Sequence, residues 1–181
     1  MIPGSWIFAA AAAASGSLWQ GFCRAPKSSS DISSKALALA KKNAGRNAVA
    51  EQILTAQGDL LDAVTENGIT LKERLKRGNI DLICCNPPYI PSEEINALMP
   101  EVRDHEPVLA LDGGADGLNF YRRLARELRP YKTPVLLEIG CEQGAAVQEI
   151  FESTGAEQVM IHRDLAGLDR VAEVNWSKYN V

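Results

Sequence analysis

From residue 31 onward, apolar positions fall alternately at helical spacing and in short unbroken runs. Ala36, Leu37, Leu39, Ala40 and Ala44 form one stripe behind Ser33, a good N-cap residue, which predicts a helix ending near Asn47. Residues 53–56 read as a short strand closed by Gly58-Asp59, and residues 70–77 as a polar helix. Residues 80–85 are nearly continuously apolar, the texture of a strand buried on both faces, and Pro87-Pro88 stops that run abruptly. Leu118, Tyr121, Leu124, Ala125 and Leu128 mark a second amphipathic helix. A strand over 135–139, a helix over 143–153 and strands over 159–161 and 171–174 complete the pattern. Strands separated by helices at this spacing predict βαβ units with right-handed crossovers, hence an α/β fold with a mostly parallel sheet flanked by helices.

The first thirty residues have a different texture. Trp6-Ile7-Phe8 runs into Ala9 to Ala14, but no Lys or Arg precedes Arg24, so the basic start of a secretory signal is lacking. The run is also too short to span a bilayer as a helix. Residues 15–30 carry no periodicity of 2 or 3.6 and read as loop.

Composition narrows the function classes. The 181 residues are 46% hydrophobic and 23% charged, enough for one self-sufficient core. The net charge of −4, with no block of like charge, disfavours a protein held on nucleic acid mainly by phosphate contacts. Four cysteines without a C-x-x-C pair support neither a zinc site nor a disulfide framework. Cys84 and Cys85, inside the apolar run, are expected to act as small hydrophobes.

In an open α/β sheet, ligands bind beyond the carboxyl ends of the strands. The residues there are Asp31, Asp59, Asn86-Pro87-Pro88-Tyr89 and Glu138-Ile139-Gly140. The tetrapeptide is the most informative. Two prolines after Asn86 offer carbonyl acceptors without competing N–H donors, and they stiffen the turn. A planar NH2 group fits such acceptors, with its two N–H bonds directed at the Asn86 side-chain oxygen and the Pro87 carbonyl and Tyr89 covering its flat face. An amide nitrogen is a poor nucleophile, so holding it in line with a sulfonium methyl supplies the orientation the reaction needs. The pattern therefore points to methylation of an amine or amide nitrogen.

The tetrapeptide extended to Ile90-Pro91, the segment Glu101-Val102-Arg103-Asp104-His105-Glu106-Pro107 and the segment Ala110-Leu111-Asp112-Gly113-Gly114-Ala115-Asp116-Gly117 together resemble the HemK/PrmC protein-glutamine N5-methyltransferases. The similarity extends to Glu138-Ile139-Gly140 and to Arg163 through Arg170. Asn-Pro-Pro-Tyr alone is shared with adenine-N6 and other amino methyltransferases; the two downstream segments are more specific. The resemblance implies a Rossmann-like fold dependent on S-adenosyl-L-methionine, acting in the cytoplasm on the glutamine of the Gly-Gly-Gln loop of peptide chain release factors in translation termination. Carried over residue by residue, Asn86 and Pro87 would hold the glutamine amide, and Pro88 and Tyr89 would complete the substrate contact. Asn86, Pro87 and Tyr89 form the implied catalytic set. Asp31 would take the ribose hydroxyls of the donor, Asp59 would belong to the donor site, Leu60 would lie at the adenine, and Asn86 would border the donor. Leu60 stands where the family often has an aromatic, which weakens the implied stacking.

The donor half departs from the family pattern. A glycine-rich loop is expected roughly 20 residues before the ribose-binding acid, and counting back from Asp31 reaches the alanine run instead. Lys27-Ser28-Ser29-Ser30 does not resemble the apolar strand that should lead into Asp31. The expectation is thus an atypical segment over 1–30, disordered or produced by a shifted reading frame, and a methyltransferase catalytic domain over 31–181. The sheet is expected to be incomplete at its first strand, the family's N-terminal helical domain absent, and donor binding weak. The alternatives are a noncatalytic remnant that still grips a partner through the Asn86 surface, and an adenine-N6 nucleic acid methyltransferase. The acidic balance and Asp104-His105-Glu106 count against the latter, and neither a membrane nor nucleic acid is an expected partner.

Overall fold

The computed structural model describes residues 6–10 and 27–176. The chain divides into two compact units, residues 1–85 and 86–181.

Strands β1 (Trp6–Ala10), β2 (Lys27–Asp31), β3 (Ile53–Gln57), β4 (Val64–Thr65) and β5 (Leu82–Asn86), all in the first unit but for Asn86, take the order β4-β3-β2-β1-β5. Helix α1 (Ser34–Arg46) connects β2 to β3, and α2 (Leu71–Lys76) precedes β5. β1 pairs with β2 and β2 with β3 in parallel, while β4 returns antiparallel to β3. The predicted absence of a first strand is therefore corrected: β1 lies within the segment read as atypical, and Trp6 to Ala9 pair with Lys27 to Ser30. The Ser-rich segment is likewise a strand and not a loop. Ser28 and Ser30 are 0% and 3% exposed, so serine is small enough to be buried in this strand. Parallel pairing is made by the backbone, so it leaves no apolar run in the sequence. The glycine-rich loop expected between β1 and β2 falls outside the described residues.

Local signals set the boundaries of the helices. Ser33 caps α1 by accepting from the Ala36 N–H, and Thr70 and Glu73 make a reciprocal capping box at α2. Such caps stabilise a helix by about 1 kcal/mol each. Leu37 and Ala44 of α1, Leu71 and Leu75 of α2 and Ile83 of β5 belong to the core. Cys85 is buried and Cys84 half-buried, and desolvation pushes their thiols up to about 12 and about 11, the behaviour of packing groups.

The second unit contains α3 (Pro100–Arg103), α4 (Val108–Leu111), α5 (Asn119–Leu128), β6 (Val135–Glu138), α6 (Gly144–Ser153), β7 (Gln158–Arg163) and β8 (Asp169–Asn175). Its strands run in the order β6-β8-β7, both pairings antiparallel. The parallel arrangement predicted from alternation holds for β1 to β3 and gives way to a hairpin here, because Asp164 to Leu168 is too short to carry a crossover. Tyr121, Leu128, Leu137, Val147 and Phe151 are fully buried, and Phe151 meets Trp176 edge to face with ring centroids 5.8 Å apart. Among the described residues, no helix is long and apolar enough to cross a membrane.

Candidate functional site

Strand β5 buries Ile83 and Cys85, so the period of two turns Asn86 outward into solvent before Pro87 is buried again. Among the described residues nothing hydrogen-bonds the Asn86 side chain, and no backbone N–H is directed at the Pro87 carbonyl. Among the described residues, two acceptors on adjacent residues at the end of β5 are thus without a hydrogen-bond partner.

The turn that follows is braced on the side of residues 111–117. The Ile90 N–H donates to the Leu111 carbonyl at 3.0 Å, and the Gly113 N–H returns to the Ile90 carbonyl at 2.8 Å. Asp112 Oδ1 accepts from the Ser92 hydroxyl at 2.7 Å and from the Gly114 N–H at 2.8 Å, and these bonds hold its carboxyl below the usual range. Gly113 and Gly117 admit no substituent: a Cβ on the first would lie 2.8 Å from Tyr89 Cα, and on the second 2.3 Å from the Tyr89 carbonyl oxygen. Asp116, bridged to Arg122 with its carboxyl pulled down to about 2, closes the segment against α5. The Asp-Gly-Gly-Ala-Asp-Gly segment is therefore a mould for the backbone of Tyr89.

Tyr89 is half-buried. Its phenol donates to Glu138 Oε1 at 3.3 Å. Burial first, then the Glu138 charge, push the phenol above its usual range, while the neighbouring Arg170 guanidinium acts in the opposite sense. Arg170 is fixed near the start of β8, where its carbonyl accepts from the Ile139 N–H at 3.0 Å. From beneath, Gln143 Nε2 donates to the Tyr89 carbonyl at 2.9 Å.

The donor-side candidates lie in the first unit. Asp31 ends β2, and one of its oxygens accepts from the Ser33 N–H at 2.7 Å. Burial raises its carboxyl against the lowering effect of the Ser33 and Ile32 backbone bonds. Asp59 and Leu60 follow the adjacent strand β3, where Leu60 takes a left-handed φ of +48° at the start of a 3-10 turn. That conformation costs a leucine about 1 to 2 kcal/mol, a strain found most often at ligand sites. Asp31 and the Gly58 turn are in contact, since the Gly58 N–H donates to the Asp31 carbonyl at 3.1 Å. A carboxylate with one oxygen on a backbone N–H at a strand end can accept from a ligand hydroxyl with the other.

The structure thus groups Tyr89 with Glu138, Gln143 and Arg170, and groups Asp31 with the turn carrying Asp59 and Leu60. His105 is exposed at the end of α3. Sequence reasoning missed Gln143, Tyr121 and Arg170 as site residues. In the sequence Gln143 is only the first residue of a predicted helix, and its side chain makes no cap bond there.

No protein-family model matches the chain. It is 44% identical over 144 residues to the release factor glutamine methyltransferase of Caulobacter vibrioides, covering 78% of this chain and 46% of that protein. The corresponding enzyme of Cereibacter sphaeroides is 42% identical over 144 residues, covering 78% and 48%, and that of Synechocystis sp. 41% over 144 residues, covering 77% and 45%. The chain spans about half the length of these curated relatives. Among solved structures, the human METTL16 catalytic domain in complex with an RNA hairpin superposes with a TM-score of 0.72 at 14% identity, over 98% of this chain and 66% of that one. A methyltransferase from Pyrococcus furiosus gives 0.61 at 13% identity, over 98% and 78%. These likenesses show the fold, a Rossmann-like α/β one.

Proposed function

From a chain whose matched region is that of the HemK/PrmC release factor glutamine methyltransferases, we propose a protein-glutamine N5-methyltransferase acting on the Gly-Gly-Gln loop of a peptide chain release factor in the cytoplasm. The observation that carries the reading is the pair of acceptors, the Asn86 side chain and the Pro87 carbonyl, that have no partner among the described residues and lie just before Tyr89, which is held through its phenol, its carbonyl and the close-packed Gly113 and Gly117.

The glutamine amide places one N–H on Asn86 Oδ1 and the other on the Pro87 carbonyl. With both hydrogen bonds made, electron density rises at nitrogen and its face is fixed, an orientation effect that in well-aligned systems lowers a barrier by several kcal/mol. Pro88 excludes a competing donor, and Tyr89 lies over the flat group with its hydroxyl engaged by Glu138. Asp31 would hold S-adenosyl-L-methionine at its ribose, Leu60 would lie at its adenine and Asp59 beside it, and the bound donor would supply an electrophilic methyl group and leave as S-adenosylhomocysteine. The amide gives up one N–H proton to solvent in forming the product, and the exposed Asn86 leaves that nitrogen open to water.

The experiment is incubation with methyl-labelled S-adenosylmethionine and a release factor, in parallel with the same factor carrying Gln→Ala in its Gly-Gly-Gln loop and with DNA and RNA. Label in the intact factor alone is the expected result. Label in nucleic acid and none in the factor overturns the reading.

A further inference from the structure

We propose that Gln143 is a positioning residue for the substrate amide, acting through the backbone of Tyr89. The inference rests on the reading of Asn86 and Pro87 as the acceptors of that amide.

Gln143 occupies the N-cap position of α6, where a Ser, Thr, Asp or Asn side chain would ordinarily satisfy the helix's own N–H groups. Its carboxamide does something else. Oε1 accepts from the Gly140 N–H at 3.0 Å, with the buried Tyr121 hydroxyl 3.5 Å away, and Nε2 donates to the Tyr89 carbonyl 54 residues earlier at 2.9 Å. Tyr121 is in turn anchored on the Glu138 carbonyl at 2.9 Å. The amide has one workable orientation. Reversed, its NH2 would face the Gly140 N–H and its oxygen the Tyr89 carbonyl, leaving donor against donor and acceptor against acceptor.

The bond is enclosed as well as oriented. A Cβ at Gly117 would sit 2.7 Å from Gln143 Nε2 and 2.3 Å from the Tyr89 oxygen, so the missing side chain there is what allows the two groups to meet. Held in this way, the Tyr89–Ile90 peptide is fixed at its carbonyl by Gln143 and at its N–H by Leu111. Only two residues separate it from the Pro87 carbonyl, and proline removes one of the rotations between them. Any swing of the Tyr89 peptide therefore redirects the acceptor that holds the substrate. A displacement of about 1 Å at a reacting centre can cost a factor of about 100 in rate.

The test compares Gln143→Ala and Gln143→Glu with the parent protein. Alanine removes the donor and is expected to lower kcat on release factor about 10- to 100-fold while leaving KM for S-adenosylmethionine unchanged. Glutamate keeps the shape and the acceptor for Gly140 but turns an oxygen toward the Tyr89 carbonyl. Only its protonated form can donate there, so its kcat relative to the parent should rise as pH falls from about 8 to about 6, where a desolvated carboxyl begins to protonate. The Gln143→Ala ratio should stay flat over the same range. The surrounding titratable groups, Tyr89, Tyr121, Glu138, Asp169 and Arg170, with Cys141 and Glu142 on the same segment, are common to all three proteins. Hydrogen exchange supplies a readout without turnover: the Ile90 and Gly113 amides should exchange at least tenfold faster in Gln143→Ala, with those of Leu137 and Val147 unchanged. Parent-like kcat in Gln143→Ala, or unchanged exchange at Ile90 and Gly113, overturns the proposal. Should the parent methylate no glutamine, the proposed function fails and the exchange measurement alone decides whether Gln143 clamps the turn.

Discussion

The Tyr89 phenol donates to Glu138 Oε1 across 3.3 Å, joining the residue that ends the substrate turn to the last residue of β6. Burial and the Glu138 charge raise the phenol's pKa, so it remains a donor throughout the neutral range. A proton held more tightly in the folded than in the unfolded protein contributes stability below the unfolded value of about 10, and that stability is lost as pH rises through the folded value. Tyr89→Phe should therefore flatten the loss of stability above about pH 10, read from urea unfolding. It should lower methyl transfer only several-fold, because the ring that covers the amide is kept.

Asn86→Ala should abolish transfer to glutamine while changing donor affinity little. Asn86 offers its oxygen to the substrate and only borders the donor. Asn86→Asp keeps an acceptor and adds charge, and is expected to retain more substrate binding than alanine. Calorimetry with donor, alongside a labelled transfer assay, separates the two effects. An Asn86→Ala protein with unchanged transfer would remove Asn86 from its role.

Gly117→Ala brings a methyl group within 2.3 Å of the Tyr89 oxygen at a φ of +73° that alanine tolerates poorly. The overlap and the backbone conformation together should destabilise the second unit by about 1 to 3 kcal/mol and cut activity by tenfold or more. Gly155→Ala, also at positive φ but with nothing within 4 Å, separates the two causes: it carries the conformational cost and should leave transfer intact.

The parts of this molecule that are legible in the sequence are those governed by apolar periodicity and by capping. Helices α1, α2 and α5 and strands β3 and β6 follow from such signals, and the Asn-Pro-Pro-Tyr turn follows from the proline chemistry that ends β5. Strands β1 and β2 escape because their pairing is a property of the backbone, and because serine, counted as polar, is small enough to be buried at positions 28 and 30. The antiparallel return of β7 and β8 is set by the length of their connection, which alternation alone does not weigh. At the site, Asn86 and Tyr89 are visible as residues next to a strand end. Gln143 is not, since the relation that defines it is a hydrogen bond to a carbonyl 54 positions away and any helix-starting residue would have given the same local pattern.

Leu60 takes the place where an aromatic is common in the resembling family. Its φ of +48° already presents the side chain from a strained turn, and its half-exposed surface gives a base only an aliphatic contact. Leu60→Phe should tighten S-adenosylmethionine binding by several-fold, since stacking a base on an aromatic ring is worth about 1 to 3 kcal/mol and part of that is spent on ordering the ring. Calorimetric titration of the variant against the parent decides it, and equal affinities would place the adenine elsewhere.

Asp31→Asn is expected to move stability and donor binding in opposite directions. Its carboxyl is raised by burial at the end of β2, so the folded chain holds that proton more tightly than the unfolded one. The stability linked to it is complete below the unfolded value of about 4 and is lost as pH rises through the folded value, so at neutral pH the ionised group is a liability to the fold. Asparagine removes the charge and keeps an oxygen for the Ser33 N–H, which should raise the midpoint of urea unfolding at pH 7 slightly and leave it unchanged near pH 3. A ribose hydroxyl, in contrast, loses a charge-assisted hydrogen bond worth about 1.5 to 3 kcal/mol, which corresponds to about a 10- to 150-fold rise in Kd for S-adenosylmethionine. The pairing of outcomes is what identifies a ligand group, since a carboxylate kept for structure would lose stability on neutralisation. Lower stability at pH 7 together with unchanged donor affinity in Asp31→Asn would show that Asp31 serves the β2–α1 connection and not the donor.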